Sequence, residues 1–264
     1  MNELNVKVLY EDNHIICAIK PRGILSQADG TNAPDMLSIL KGYIKVKYKK
    51  QGDAFLGLVH RLDRPVGGVM VFARTSKAAG RLSEQIRTRA VNKENLAVLE
   101  GAPEQSSGTL ENRISKDRHL NLASVARVDD AQTHTKEYAA LKYQVLAITE
   151  PVAEGLALVR VGLLTGRSHQ IRAQFAYINH PVIGDRKYGA RNNTWRNTHY
   201  DGRQSARNGE CQNAHANMNF PALWAASLAF SHPIQNTPLV ISAPPPYEFE
   251  YPWDKFDPKY YKHE

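Results

Sequence analysis

The apolar residues of this chain gather into runs of strand length, and helical stretches do not separate those runs at regular intervals. Val6–Tyr10 and His14–Ile19 read as two short strands joined by the polar turn Glu11-Asp12-Asn13. Leu56–Val59 and Val69–Phe72 read as strands or buried segments, and Leu96–Leu99 as a short strand ending at Gly101. Tyr138–Leu146 and Leu156–Leu164 are longer, and the second alternates as a half-buried strand does. Pro244-Pro245-Pro246 ends the last strand region.

Three helices are expected among these strands. One begins with Asn32 or Ala33 as cap and Pro34 in its first turn, carries Leu37, Leu40 and Ile44 at helical spacing, and runs to about Tyr48. Lys45, Lys47, Lys49 and Lys50 at its end suit the helix dipole and read as a solvated face, with a phosphate contact as the alternative. Thr75 or Ser76 caps a second helix with Ala79, Leu82 and Ile86 on one face. The third spans His169–Ala176, entered from Thr165-Gly166-Arg167-Ser168. Long strands and few helices, without βαβ alternation, place the chain in the α+β class.

A chain of 264 residues buries roughly 73 % of its unfolded surface, enough for a full core without staples. We expect one domain over residues 1–264, with Ala190–Asn219 as a polar loop or insertion and Tyr247–Glu264 as an aromatic, polar tail. The insertion holds seven asparagines and four arginines. Its Cys211, His199 and His215 fit no complete ligand set, so no metal is expected. Cys17 and Cys211 are the only cysteines, which excludes a disulfide scaffold; Cys17, in an apolar run, reads as a small core residue. Met1–Asn5 lacks the pattern of a signal peptide, and no run approaches the 18 or so apolar residues of a membrane span. A cytoplasmic monomer without a membrane partner is the expectation. Lys and Arg exceed Asp and Glu by 34 to 26, a net charge of +8, which favours a polyanion such as nucleic acid as partner.

Two segments concentrate chemistry. In His60-Arg61-Leu62-Asp63-Arg64-Pro65-Val66-Gly67-Gly68 a carboxylate lies between two arginines on a tight turn. A neighbouring guanidinium favours the ionised form of a carboxylate, although an isolated segment of this kind also reads as a loop salt bridge. In Thr165–Arg172, Arg167, His169, Gln170 and Arg172 form a dense donor array suited to carboxylate or phosphate, and His169 and Arg172 share a helix face.

In these residues the chain resembles the RluA family of RNA pseudouridine synthases. The matching segments are Tyr10-Glu11-Asp12-Asn13-His14 with Lys20-Pro21, His60–Arg64, Thr165–Arg172 with Gly184-Asp185 and Tyr188-Gly189, and Phe230-Ser231-His232-Pro233. They stand in family order between about residues 6 and 246. The resemblance implies a mixed, largely antiparallel sheet with flanking helices and loops around a central RNA-binding cleft. It implies isomerisation of uridine to pseudouridine in ribosomal or transfer RNA, a redox-neutral reaction that requires no cofactor. It makes Asp63 the catalytic aspartate and Arg172 its paired cation. Arg61 is the candidate to fill the space left by the flipped base, and Ile171 the apolar floor under uracil. Lys20, His60, Arg64, Arg167, His169 and Gln170 are the expected RNA contacts. The additional N-terminal RNA-binding domain common in the family is expected to be absent.

Three departures stand out. Val66-Gly67-Gly68 replaces the usual Thr-Ser-Gly, and Gln174 stands where a histidine is frequent. Asn95, in Lys93-Glu94-Asn95-Leu96-Ala97-Val98-Leu99-Glu100-Gly101, occupies the position of the family tyrosine, the favoured general base. An amide hydrogen-bonds a uracil edge but takes no proton near neutral pH. Either water or another phenol such as Tyr138 or Tyr143 compensates, or the protein is a catalytically impaired RNA-binding or ribosome-assembly factor. A glycosidic hydrolase using Asp63 is the remaining alternative, and it lacks an evident second carboxylate.

Overall fold

A strand with apolar side chains at every position must be covered on both faces, and the segments Ile15–Ile19 and Val69–Ala73 are of that kind. The computed structural model describes residues 6–49, 51–117, 119–130, 136–150, 155–189, 220–246 and 252–261. In chain order it contains β1 (Val8–Glu11), β2 (Ile15–Lys20), α1 (Met36–Lys47), β3 (Gly57–Leu58), β4 (Gly67–Ala73), α2 (Ser76–Arg87) and β5 (Asn92–Glu100). There follow β6 (Ser107–Asp117), β7 (Leu122–Ala126), β8 (Glu137–Ile148), β9 (Leu156–Leu163), α3 (Gln170–Tyr177), β10 (Leu223–Ser231) and β11 (Pro238–Ser242). The strands form one mixed sheet in the order β1-β2-β4-β10-β5-β9-β8-β6-β7, with β3 on β4 and β11 on β10. Every ladder is antiparallel except β4 on β10, so the α+β, largely antiparallel expectation is met.

The two-residue period of a strand divides the β2–β4 half of the sheet cleanly. Ile16, Ala18, Met70 and Phe72 pack on Met36, Leu40 and Ile44 of α1. Ile15, Cys17, Val69, Val71 and Ala73 pack on Ala78 and Leu82 of α2. Each large side chain buried this way contributes roughly 1.5–3 kcal/mol. A larger cluster joins β5, β8, β9 and β10 to Ile171 and Phe175 of α3. Cys17 is fully buried, as expected, and burial pushes its thiol up to about 12.

Several boundaries differ from expectation. Asp35, not Asn32 or Ala33, caps α1, because its carboxylate accepts from Ser38 N at 3.1 Å; Pro34 lies before the cap. Thr75 caps α2 as expected, accepting from Ala78 N. Lys47 at the end of α1 is engaged by Glu11 at 2.6 Å, alongside Tyr43. The tail does not behave as a polar one where it is described: Trp253, Phe256 and Tyr261 are buried in the largest core cluster. The Ala190–Asn219 segment, with Cys211, His199 and His215, lies outside the described residues. No described helix is long and apolar enough to cross a membrane.

One junction positions the site. β4 meets β10 through two parallel pairs, Gly67 with Trp224 and Gly68 with Ala225. Gly68 has φ +127°, and a Cβ there would lie 2.3 Å from the Ala225 carbonyl oxygen. Only glycine admits this approach. The turn that carries Asp63 leads directly into this junction.

Candidate active site

The turn at Asp63 is closed by Val66 N donating to the Asp63 carbonyl at 3.0 Å. The segment that follows β2 staples it from one side. Ser26 Oγ donates to Leu62 O and accepts from Leu62 N, and Arg64 exchanges bonds with Gly23 through its carbonyl and its Nε. Lys20, fully buried, donates to the carbonyls of Pro21, Arg64 and Val66 at 3.1, 3.1 and 2.6 Å. Burial pushes Lys20 down to about 7, while the nearby Asp63 charge pulls the other way. Two of its three hydrogen bonds go to carbonyls of the turn and the third to the adjacent Pro21, so the structure makes Lys20 an internal clamp in place of the expected RNA contact.

His60 and Gln170 are corrected on the same ground. His60 Nε2 accepts from Val71 N at 3.0 Å, and burial together with Lys93 pushes the ring down to about 3, so it brings no cation to a phosphate. Gln170 is buried; its oxygen accepts from Thr165 Oγ1 and Arg167 N, and its nitrogen donates to Ala140 O. Arg61 and Arg64 remain exposed. Arg167 keeps a part-exposed side chain, bonded to the Tyr138 carbonyl and paired with Glu137. Ile171 is buried in the main core.

Arg172 on α3 joins two carboxylates. Its Nε and Nη2 fork onto Asp185 at 2.6 and 2.8 Å, and its Nη1 reaches Asp63 at 3.3 Å. The Arg172 and Asp185 side chains are 5 % and 1 % exposed, against 27 % for Asp63, so the pair presents one accessible carboxylate. Burial works against the guanidinium charge, but the Asp185 bonds and the charges of Asp185 and Asp63 outweigh it and hold Arg172 above its ordinary value. Asp185 is itself fixed by the backbone N–H groups of Lys187 and Tyr188.

A second line runs from Asp63 to β7. His169 Nε2 lies 3.7 Å from Asp63, and its Nδ1 lies 2.8 Å from Tyr188 Oη. Tyr188 Oη also accepts from Ala123 N at 2.7 Å, so the phenol ties the imidazole that faces Asp63 to the backbone of β7. Burial lowers the imidazole and outweighs the Asp63 charge, so His169 stands neutral. It enters α3 with φ +55°, a left-handed conformation held by this packing. Burial raises Tyr188 to about 12. Asp185, Tyr188 and Ser26 were missed as functional positions; the first two fell inside the matched Gly184–Gly189 segment, and nothing marked Ser26.

The two phenols named as substitutes for the base missing at Asn95 have hydrogen-bond partners of their own. Tyr138 is exposed and donates to Glu111 at 2.8 Å. Tyr143 donates to the Gln105 carbonyl at 3.3 Å, and its ring packs against Gly108 and Phe175. Asn95 is buried in β5 between Val161 of β9 and Ala225 of β10. Among the described residues no group of three or more His, Cys, Asp or Glu is placed to hold a metal ion.

Residues 14–177 match the family model described as RNA pseudouridylate synthase. This chain belongs to the RNA pseudouridylate synthase family. The RluA-type resemblance read from its motifs agrees with its relatives. Ribosomal large subunit pseudouridine synthase D of Xanthomonas campestris is 31 % identical over 253 residues, covering 94 % of this chain and 68 % of that protein. RNA pseudouridine synthase 2, chloroplastic, of Oryza sativa is 31 % identical over 193 residues, covering 73 % of this chain and 43 % of that one. The chain thus spans less than half the length of the rice family member. Among solved structures, human RNA pseudouridylate synthase domain containing 4 superposes with a TM-score of 0.67 at 22 % identity, over 92 % of this chain and 90 % of that one. Human RNA pseudouridylate synthase domain containing 1 gives 0.66 at 19 %, over 94 % and 86 %. Both share the fold of this family member.

Proposed function

We propose that this chain isomerises uridine to pseudouridine in ribosomal or transfer RNA. The observation that carries the reading is the arrangement around Asp63: one accessible carboxylate on a stapled turn, held by a buried arginine that a second carboxylate anchors. The reaction breaks N1–C1′ with the electron pair leaving on N1, forms C5–C1′, and moves the proton of C5 to N1. An anion beside C1′ either attacks the sugar or stabilises its developing positive charge, and Asp63 is placed to supply it. In this reading Arg172 keeps that anion oriented, Arg61 fills the space left by the flipped base and Arg64 contacts the RNA backbone; both arginines are exposed. No step requires a cofactor. A hydrolase reading is disfavoured because Asp185, the second carboxylate, is locked by Arg172 and two backbone N–H groups and is not available as an acid.

Asn95 supports a second reading, an RNA-binding protein on the same fold without turnover. One experiment separates the two. Bulk ribosomal and transfer RNA from cells lacking the protein is incubated with wild type or Asp63→Ala, digested, and its pseudouridine quantified by mass spectrometry. We expect a gain with wild type that Asp63→Ala abolishes. No gain with either protein, with salt-sensitive RNA binding intact in both, refutes the synthase reading and supports the second.

A further inference from the structure

Asn95 is 6 % exposed, and its Nδ2 has no hydrogen-bond partner. The residues opposite it on both neighbouring strands, Val161 and Ala225, are apolar. A buried polar atom left unpaired is costly, and native proteins keep few of them unless a ligand or a reaction uses them. The row Asn95, Ala225, Gly68, Lys20 runs across β5, β10, β4 and β2, and Lys20 in that row donates to the Arg64 and Val66 carbonyls of the Asp63 turn. The unpaired amide therefore belongs to the strands that support the catalytic carboxylate.

We propose that the Asn95 amide hydrogen-bonds the imide edge of the target uracil and holds the detached base while it turns. This deepens the synthase reading and rests on it. Uracil presents N3–H between the carbonyl oxygens O2 and O4. A carboxamide pairs with such an edge through its oxygen on N3–H and its N–H on one carbonyl. Joining C5 in place of N1 requires a half-turn of the ring about the N3–C6 axis. That turn exchanges O2 with O4 and leaves N3–H where it was. The amide thus meets the same pattern of donor and acceptor before and after the turn. In between, the departing base carries the N1 electron pair as a uracil anion spread over O2 and O4, and the amide N–H stabilises it. Residue 95 takes no proton in this scheme.

The test uses the full chain as wild type, Asn95→Leu and Asn95→Asp, with the same bulk RNA as substrate. Leucine is of similar size and removes the unpaired donor, so its thermal midpoint should match or exceed the wild-type value. Its pseudouridine-forming rate at saturating RNA should fall about 10- to 100-fold, with RNA affinity unchanged because the phosphates carry the binding. Asn95→Asp should lose activity at neutral pH. Its rate relative to wild type should recover as pH falls, because a protonated carboxyl again offers one donor and one acceptor, and that recovery should appear at temperatures where its thermal midpoint shows the variant folded at every pH used, which separates it from a structural role. An Asn95→Leu protein that is stable and as fast as wild type overturns the inference while leaving the synthase reading standing. A wild-type protein that forms no pseudouridine overturns the synthase reading, and the inference with it.

Discussion

Asp185 should matter more to stability than Asp63, although the proposed chemistry falls to Asp63. Asp185 takes two of the three Arg172 contacts, at 2.6 and 2.8 Å, and both side chains are at most 5 % exposed. Removing one partner of such a buried pair leaves an uncompensated charge and costs about 3–5 kcal/mol. In Asp185→Asn the amide oxygen still accepts one bond, so we expect the lower end, about 3 kcal/mol. For a protein of this size that is roughly 6–12 °C in thermal midpoint. Asp63→Asn weakens a 3.3 Å contact with Arg172 and a longer one of 3.7 Å with neutral His169, at a 27 % exposed carboxylate, and should cost under about 1 kcal/mol. Activity should separate the pair differently. Asp63→Asn abolishes turnover. Asp185→Asn slows it about 10- to 100-fold, because Arg172 then swings wholly onto Asp63 and draws the carboxylate away from C1′. Thermal unfolding and pseudouridine formation on bulk RNA check both halves. An Asp185→Asn protein within 1 kcal/mol of wild type and within threefold of its rate would show that something other than Asp185 anchors Arg172.

Two further outcomes follow from the turn and its clamp. Gly68→Ala should cost more than about 3 kcal/mol, since its Cβ would sit 2.3 Å from the Ala225 carbonyl oxygen at a φ of +127°; a well-folded variant with an unchanged denaturation midpoint contradicts the tight β4–β10 junction. Burial holds folded Lys20 near 7 against an ordinary 10.5, so between those values the unfolded chain binds a proton that the folded chain does not. This group therefore makes the fold gain stability as pH rises from about 7 to 10.5, by a few kcal/mol at most, and Lys20→Met should flatten that slope. A variant whose denaturation free energy keeps the wild-type slope across the window removes Lys20 as its source.

How much was legible in the sequence follows from where each side chain points. β2 and β4 were readable because both their faces are buried, which writes them as unbroken apolar runs. β6, Ser-Gly-Thr-Leu-Glu-Asn-Arg-Ile-Ser-Lys-Asp, was not, because only Asn112 and Ile114 are buried in it and a polar strand one place from the sheet edge resembles a loop. The site divides in the same way. Asp63 and Arg172 were legible only through the family resemblance of their two motifs, and the structure brings them together. The burial of Lys20, His60 and Gln170 was not legible because a polar side chain in a sequence carries no sign of its partner: Lys20 and Gln170 donate to backbone carbonyls of the Asp63 turn and of β8, and His60 accepts from a backbone N–H of β4. That gap has a physical remedy. A turn that presents a carboxylate to solvent leaves its own carbonyls pointing inward, and buried carbonyls require donors. The turn at residues 62–66 has no helix or ladder to supply them, so donors elsewhere in the chain must. Cationic or hydroxylic side chains just after the preceding apolar strand, here Lys20 and Ser26, are the first to consider for that task, ahead of a phosphate in the cleft.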